Sequence, residues 1–408
     1  MRYGPDAPSG SLCHDGFSSD GGTCRRFGLS AEDGRQTAVP VAFVSSHATR
    51  AGSERYLSLL LEQIDPAYVR SVICLKAGPF ADELEGLGYP LEVIDTGVRA
   101  PAIISSAWRL RRSLRRSGSA VVHANGVKAA LVSTAATIGT DIAVVWFKHD
   151  VSRDGWQARL IASRCSRVVA ASKAVTTTFR DGQRDKVEVL HYQMPDPPVD
   201  AAEGRRLVLA EFEPPEPAAV VTLVGRLDPF KGQAELLAIA PELNEQVPGL
   251  RFLFVGGEDP AHPDRPAALQ REVTERGLEQ VVRFTGHRHD ALALIAGSDL
   301  LAIPSVTNES GMGKEAFPYV GLEALALGTP VIGYDHGGLP EQVGECGVLV
   351  PPDDRSALRD VILRLVSDAP ERERLARCGR ERFLTLFALH DLVETVAQRY
   401  RTAAGDRR

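Results

Sequence analysis

At 408 residues the chain is long enough for two domains and a large buried core. Apolar residues make up 44% and charged residues 25%, the balance of a globular protein, and a net charge of −6 gives no footprint for nucleic acid. No apolar run reaches the length of a membrane span, and the polar, glycine-rich N-terminus does not read as a signal peptide. The cysteines Cys13, Cys24, Cys74, Cys165, Cys346 and Cys378 form no CxxC and no metal spacing, so they read as cytosolic thiols.

Residues 1–37 are rich in Gly, Ser, Asp and Arg with little apolar periodicity, and are expected to be a disordered extension. Val39 to Ser45 is an apolar strand. After it, Ala51-Gly52-Ser53-Glu54 leads into a helix with Leu57, Leu60 and Leu61 on one face. Strand, glycine loop and helix together can offer free N–H groups and a positive dipole end to a diphosphate, with Gly52 letting the backbone come close. A plain strand-to-helix turn is the alternative. Ser71 to Lys76 and Leu91 to Asp95 read as strands around a short helix at Phe80 to Leu87. The helix from Ala107 to Arg116 carries Arg109, Arg111, Arg112, Arg115 and Arg116. A solvated face is the simpler reading, and a peripheral contact with an anionic membrane the other.

Ala120 to Asn125 is a strand with His123 near its carboxyl end, where α/β folds bind ligands; a satisfied structural histidine is the alternative. An Ala-rich helix from Lys128 to Ile138 follows. The next strand, Ile142 to Phe147, ends in Lys148-His149-Asp150. Cys165 to Ser172 supplies a strand and turn, and Val187 to Leu190 completes the first sheet. The prolines between Pro195 and Pro217 have the composition of a linker.

A second sheet opens at Val220 to Val224, followed by Gly225-Arg226 and, five residues on, Lys231-Gly232. Arg226 offers a planar fork and Lys231 a point charge; both follow a strand's carboxyl end, so both can meet a leaving diphosphate. Arg251 to Gly256 and Val281 to Thr285 are strands, the latter running into Gly286. Leu300 to Pro304 is another, and a polar loop from Ser305 to Lys314 leads to Glu315-Ala-Phe317-Pro318-Tyr319. The helix from Tyr319 to Leu327 holds Glu323 one turn inside and ends at Gly328, where a C-cap belongs. Glu323 can take two ribose hydroxyls, and Glu315 can reach past the phosphate to a sugar. On one continuous helix the two glutamates would sit roughly 12 Å apart, too far for a hydrolase pair at about 5 to 9.5 Å. Asp353 and Asp354 read as helix caps rather than metal ligands. Residues 371 to 404 read as helical. A P-loop fails, because Asn308 stands where glycine is needed and Glu315 where Ser or Thr must follow Lys314. The absence of GxGxxG after the first strand disfavours a dinucleotide oxidoreductase.

Glu315, Phe317, Pro318, Glu323, Ala324, Gly328, Pro330 and Val331 match E-x-F-[GP]-x4-E-A-x3-G-x-P-V, so the segment resembles the signature of the retaining glycosyltransferases of family 4. Other parts are similar in order: Gly52-x-Glu54 with Ala51 in place of a first glycine, His149-Asp150, Gly225-Arg226-x4-Lys231-Gly232, the turn at Gly286, and Gly347 to Asp354. The resemblance implies a GT-B fold, two doubly wound Rossmann-like α/β domains facing a central cleft. Residues 38–198 would form the acceptor-side domain and 199–385 the donor domain, with 386–408 a helix crossing back. It implies a catalytic set of Glu315, His149, Arg226 and Lys231, with His149 reaching the donor sugar. It implies donor contacts at Gly52, Gly225, Arg226, Lys231, Gly286, Glu315, Phe317, Pro318, Tyr319 and Glu323. Pro318 is the rarer choice at its position and deletes one backbone donor. The implied reaction is a retaining hexosyl transfer in the cytoplasm or at its membrane face. The donor is a nucleotide sugar, most often UDP-linked in the family. The acceptor is an unidentified hydroxyl on a glycan, a lipid-linked intermediate or a small metabolite, and no metal or cofactor is expected. A phosphorylase, a sugar-nucleotide epimerase and a non-catalytic sugar-nucleotide binder are the alternatives.

Overall fold

The computed structural model describes residues 38–47, 51–151, 155–212, 218–308 and 313–406. The expected extension at 1–37, with Cys13 and Cys24, lies outside the described residues, as do residues 309–312 of the expected polar loop.

Strands that are apolar along their whole length, such as Val41–Ser45 and Ala219–Val224, suit parallel sheets covered on both faces. The first sheet is built from β1 (Val41–Ser45), α1 (Gly52–Gln63), β2 (Val69–Cys74), α2 (Pro79–Glu85), β3 (Leu91–Val93), α3 (Ala100–Ser117), β4 (Val121–Asn125), α4 (Val127–Ala136), β5 (Ala143–Lys148), α5 (Trp156–Arg164), β6 (Arg167–Ala170), α6 (Lys173–Thr176), α7 (Asp181–Arg184) and β7 (Val187–Val189). Its seven parallel strands run β3-β2-β1-β4-β5-β6-β7. After α8 (Ala201–Ala210) come β8 (Ala219–Val224), α9 (Gln233–Gln246), β9 (Leu250–Val255), α10 (Arg265–Glu275), β10 (Val282–Gly286), α11 (Ala291–Ala296), β11 (Leu300–Ile303), α12 (Tyr319–Leu327), β12 (Val331–Tyr334), α13 (Leu339–Val343) and β13 (Gly347–Val350). These six strands run β10-β9-β8-β11-β12-β13. The helices α14 (Arg355–Ser367), α15 (Ala369–Leu386) and α16 (Leu392–Gly405) close the chain.

Both sheets reverse their strand order once, between β1 and β4 and between β8 and β11. In doubly wound sheets such a reversal opens a crevice beyond the carboxyl ends of the strands. Each sheet has its own core: Val44, Ile73, Val122, Val144 and Trp146 in the first, Val221, Leu236, Phe252, Phe254 and Ile332 in the second. Among the described residues no helix is long and apolar enough to cross a membrane.

Three sequence expectations need correction. The proline-rich segment from 195 to 217 is not all linker: α8 forms inside it, with Asp200 accepting from the Ala202 N–H at 2.8 Å, and packs on α11. The stretch expected to be helical from 371 to 404 is interrupted at residues 387–391. Between α15 and α16 the chain returns to the first half, where Met194 and Ala388 form a parallel bridge and Phe387 is fully buried. The resulting α16 packs on β4, β5 and α1. Finally, Cys346 and Cys378 are not thiols but a disulfide, with Cα atoms 5.2 Å apart. Tertiary packing of the turn before β13 onto α15 joins them across 32 residues, a separation that matches no spacing motif. Cys74 and Cys165 are buried thiols.

Candidate functional site

The second half contributes a charged wall. β8 ends at Val224, and the N–H of Gly225 is held by the Val255 carbonyl at 2.9 Å. Arg226 follows with more than half of its side chain exposed, 3.3 Å from Asp259 and 3.8 Å from Asp228. The Asp228 carboxylate accepts from the backbone N–H of Phe230 at 2.7 Å and of Lys231 at 3.0 Å, which fixes the turn. Gly232 then starts α9 at φ +85°, and a Cβ there would lie 2.0 Å from the Pro304 carbonyl oxygen. Only glycine allows the start of α9 to come this close to the end of β11.

The Lys231 ammonium consequently reaches Glu315, Nζ to Oε1 at 2.6 Å. The Ser305 hydroxyl donates to the same oxygen at 2.8 Å. Burial would raise the Glu315 carboxyl, but the ammonium and the hydroxyl outweigh it and hold it below its ordinary value. Burial would lower Lys231, and Glu315 more than reverses this, so its pKa is raised. The loop bearing Glu315 is clasped from behind by the turn at 336–338. The Gly338 N–H donates to the Glu315 carbonyl at 2.8 Å, and a Cβ on Gly338 would lie 1.8 Å from the Ala316 oxygen.

Pro318 sits at the N-cap of α12, and its carbonyl accepts from the buried Gln342 amide at 2.9 Å. The free amides of the first helical turn that follow it can receive an anion. Glu323, one turn in, is paired with Arg55 of α1, whose guanidinium lies over the Tyr319 ring at 4.8 Å. The starts of α1 and α12 thus face each other across the cleft: a Cβ on Gly52 would be 3.5 Å from the Tyr319 ring.

The first half contributes a neutral wall. His149, just after β5, has Nε2 2.7 Å from Asn125 Oδ1 and Nδ1 2.8 Å from the Tyr192 hydroxyl. The Asn125 amide donates to the Ser53 carbonyl at 3.1 Å, which leaves its oxygen facing His149. Nε2 is therefore the donor and Nδ1 the acceptor. Burial pushes the imidazole down to about 3, against a smaller opposing pull from Asp150, so it is neutral at physiological pH. Beside it Glu54 is fully buried; burial raises its pKa, and one carboxylate oxygen has no hydrogen-bond partner among the described residues.

The structure therefore brings Arg226, Lys231, Glu315 and Ser305 together on one wall, and Gly52, Tyr319 and Glu323 together where the halves meet. Gly225 packs under the Lys231 stem, 3.3 Å from it by a built Cβ. Gly286, at the end of edge strand β10, is linked to the same corner: its carbonyl accepts from the Gly256 N–H at 2.9 Å, and a Cβ on Gly256 would lie 1.9 Å from the Gly225 carbonyl oxygen. The Phe317 side chain turns away into packing, stacked on His191 at 4.8 Å and next to Phe387. His123 is a structural histidine: it is fully buried, stacked on Phe147 and bonded to the Tyr400 hydroxyl at 2.7 Å. Sequence reasoning missed Arg55, Asn125, Tyr192 and Ser305. Ser305 opens the glycine-rich loop and Arg55 directly follows the Glu54 that was read, but none of the four residue types marks a site by itself.

Residues 50–192 match the family profile Glycosyltransferase Family 4, and residues 206–382 match Glycosyl transferases group 1. The D-inositol 3-phosphate glycosyltransferase of Corynebacterium efficiens is 36% identical over 174 residues, 41% of this chain and 39% of that protein. The one from Saccharomonospora viridis is 31% identical over 232 residues, 52% of each chain. The chain thus spans about two fifths to one half of the length of these curated relatives. Among solved structures, Anabaena HepE in complex with UDP shares the fold with a TM-score of 0.76 at 22% identity, over 89% of this chain and 100% of that one. The two parallel-sheet halves facing a cleft are the GT-B fold.

Proposed function

The chain belongs to the GT-B glycosyltransferases, and we propose that it moves a hexosyl group from a nucleotide-activated sugar to a hydroxyl acceptor with retention at the anomeric carbon. The observation that carries this reading is the Lys231–Glu315 pair, 2.6 Å apart and flanked by Arg226, in front of the first turn of α12. A leaving diphosphate needs cations that stay charged in a partly desolvated site. Arg226 and Lys231 meet that need, and these side chains, rather than a metal ion, are proposed to take the charge. Glu315 is held ionised by Lys231 and Ser305 and can orient the hexose hydroxyls. Glu323 suits the ribose, for which the Arg55 guanidinium must be exchanged.

No protein nucleophile is invoked. The bond from the anomeric carbon to the phosphate oxygen breaks, the acceptor oxygen bonds to that carbon from the same face, and the acceptor proton passes to the departing phosphate. His149 is a neutral hydrogen-bonding group in this scheme; a sugar hydroxyl would replace Asn125 or Tyr192 as its partner. UDP is the favoured nucleotide because HepE was solved with it, and D-inositol 3-phosphate is the first acceptor to try because the curated relatives are named for it. The test is donor hydrolysis and transfer across UDP-, GDP- and ADP-sugars, with and without a chelator. Turnover of one nucleotide class unaffected by the chelator is expected. No turnover with any of them, or complete loss with the chelator, overturns the reading.

A further inference from the structure

We propose that the outer surface of α3, α4 and α5 docks on an anionic lipid bilayer. The inference does not depend on the transfer reaction. After β3 the chain adds β4, β5 and β6 successively in one direction across the first sheet, so right-handed crossovers put the helices that precede them, α3, α4 and α5, on one face. α4 packs between its two neighbours.

Two independent features converge on this face. The first is apolar exposure. Of the ten large hydrophobic side chains exposed among the described residues, six belong here: Ile104, Trp108, Leu131, Ile138, Trp156 and Leu160. Ile104, Trp108 and Trp156 are each more than 60% exposed (69%, 63% and 65%). The second is charge. The residues of α3, α4 and α5 include no Asp or Glu, in a chain whose net charge is −6. They include Arg109, Arg111, Arg112, Arg115, Arg116, Lys128, Arg159 and Arg164.

On α3 the two features share one stripe. Ile104, Trp108, Arg111, Arg112 and Arg115 recur at helical spacing, while Ala107, Leu110 and Leu114 on the other side are buried. Arg112 lies over the Trp108 ring at 6.0 Å. Arg116 meets Glu92 at 3.5 Å, whereas Arg112 and Arg115 have no carboxylate partner among the described residues.

This composition fits a bilayer surface. Indole rings settle at the headgroup level, aliphatic chains enter the acyl boundary, and guanidinium forks pair with lipid phosphates. A nucleic acid would leave Ile104, Leu131 and Leu160 without a use. A second copy would bring arginines against arginines. In a parallel sheet each following helix begins at the strands' carboxyl edge, so Trp156 and Ile104 lie toward the edge where the cleft opens. Docking there would present the cleft to an acceptor anchored in the same membrane.

The experiment is co-sedimentation of the full chain with vesicles of phosphatidylcholine alone and with one third phosphatidylglycerol. Binding to the anionic vesicles only is expected, with release in about 0.5 M salt. Arg112→Ser with Arg115→Ser should weaken it by about thirtyfold, and Trp108→Ser with Trp156→Ser by at least about tenfold. The Arg112→Lys, Arg115→Lys pair should keep most of the binding. All these side chains are exposed, so melting temperatures should be unchanged, which separates lost docking from lost folding. Failure of the unmodified chain to sediment with anionic vesicles overturns the proposal, as does unchanged binding by both serine pairs. Binding to an acidic polypeptide without vesicle binding, or concentration-dependent dimerisation lost in the tryptophan pair, also overturns it and assigns the face to that partner.

Discussion

The two walls of the cleft solve opposite problems. The second half puts ions at its surface: Arg226 and Lys231 keep part of their side chains in solvent and are matched by Asp259, Asp228 and Glu315. The first half puts neutral groups in the interior, with His149, Asn125 and Tyr192 each satisfying the next. Buried ions are stable only with partners, and cations kept paired and accessible suit the dianionic leaving group proposed for this wall. Uncharged hydrogen bonds, which discriminate by geometry, suit the positioning of hydroxyls proposed for the other wall. Substitutions on the two walls should therefore differ in size and in kind.

The largest effect is expected on the charged wall. Lys231→Ala and Arg226→Ala should each cut turnover by about a hundredfold or more, from lost stabilisation of the leaving diphosphate. Steady-state rates on the identified donor measure this. Near-normal turnover in both variants would remove the donor site from this wall.

Where the walls meet, the effect should be intermediate and should appear in binding. Glu323→Ala should weaken UDP by about 1.5 to 3 kcal/mol, the cost of a lost charge-assisted hydrogen bond to ribose. Glu315→Ala should leave UDP affinity nearly intact and lower turnover, since UDP has no hexose. Arg55→Ala should tighten UDP by about twofold to fivefold, because it frees Glu323 from a partly exposed ion pair worth at most about 1 kcal/mol. Calorimetric titration of the three variants with UDP decides the assignment. Equal weakening by Glu315→Ala and Glu323→Ala would collapse the division of roles between them.

What the sequence revealed follows the same line. The charged wall was legible because each part is a short motif whose residue types are forced. Gly232 is required by the Pro304 carbonyl, and Gly338 by the Glu315 loop, so glycine and charge stand at fixed spacing. The alternation of apolar strands and helices likewise gave the α/β elements, and the resemblance of the motifs to family 4 implied the GT-B architecture. The neutral wall was not legible beyond His149. Asn125, Tyr192 and Ser53 become partners only when β4, β5 and the segment after β7 converge, and their residue types are common. The Cys346–Cys378 link and the return of the chain at Phe387 are also products of long-range packing, without a local signature. Phe317 belongs to a motif, and its side chain stacks on His191.

The smallest effect on turnover is expected at His149, and its sign with pH separates a neutral hydrogen-bonding role from general acid or base chemistry. The folded imidazole titrates at about 3, below the ordinary value of 6.5, because burial disfavours its charged form. A group depressed in this way contributes stability that is fully present above the unfolded value and is lost as pH falls from about 6.5 toward 3. Glu315, also held below its ordinary value, acts in the same direction at lower pH. Melting temperature should therefore decline on the acid side, while the turnover of the folded enzyme shows no His149 limb between about pH 5 and 8. His149→Gln keeps one donor and one acceptor, so turnover should fall only about twofold to tenfold, with an unchanged pH profile and a shallower acid decline in melting temperature. A rate limb near pH 6 in the unmodified enzyme that disappears in His149→Gln would show that the imidazole takes up a proton in the working enzyme, and the neutral wall would then have to be described as catalytic.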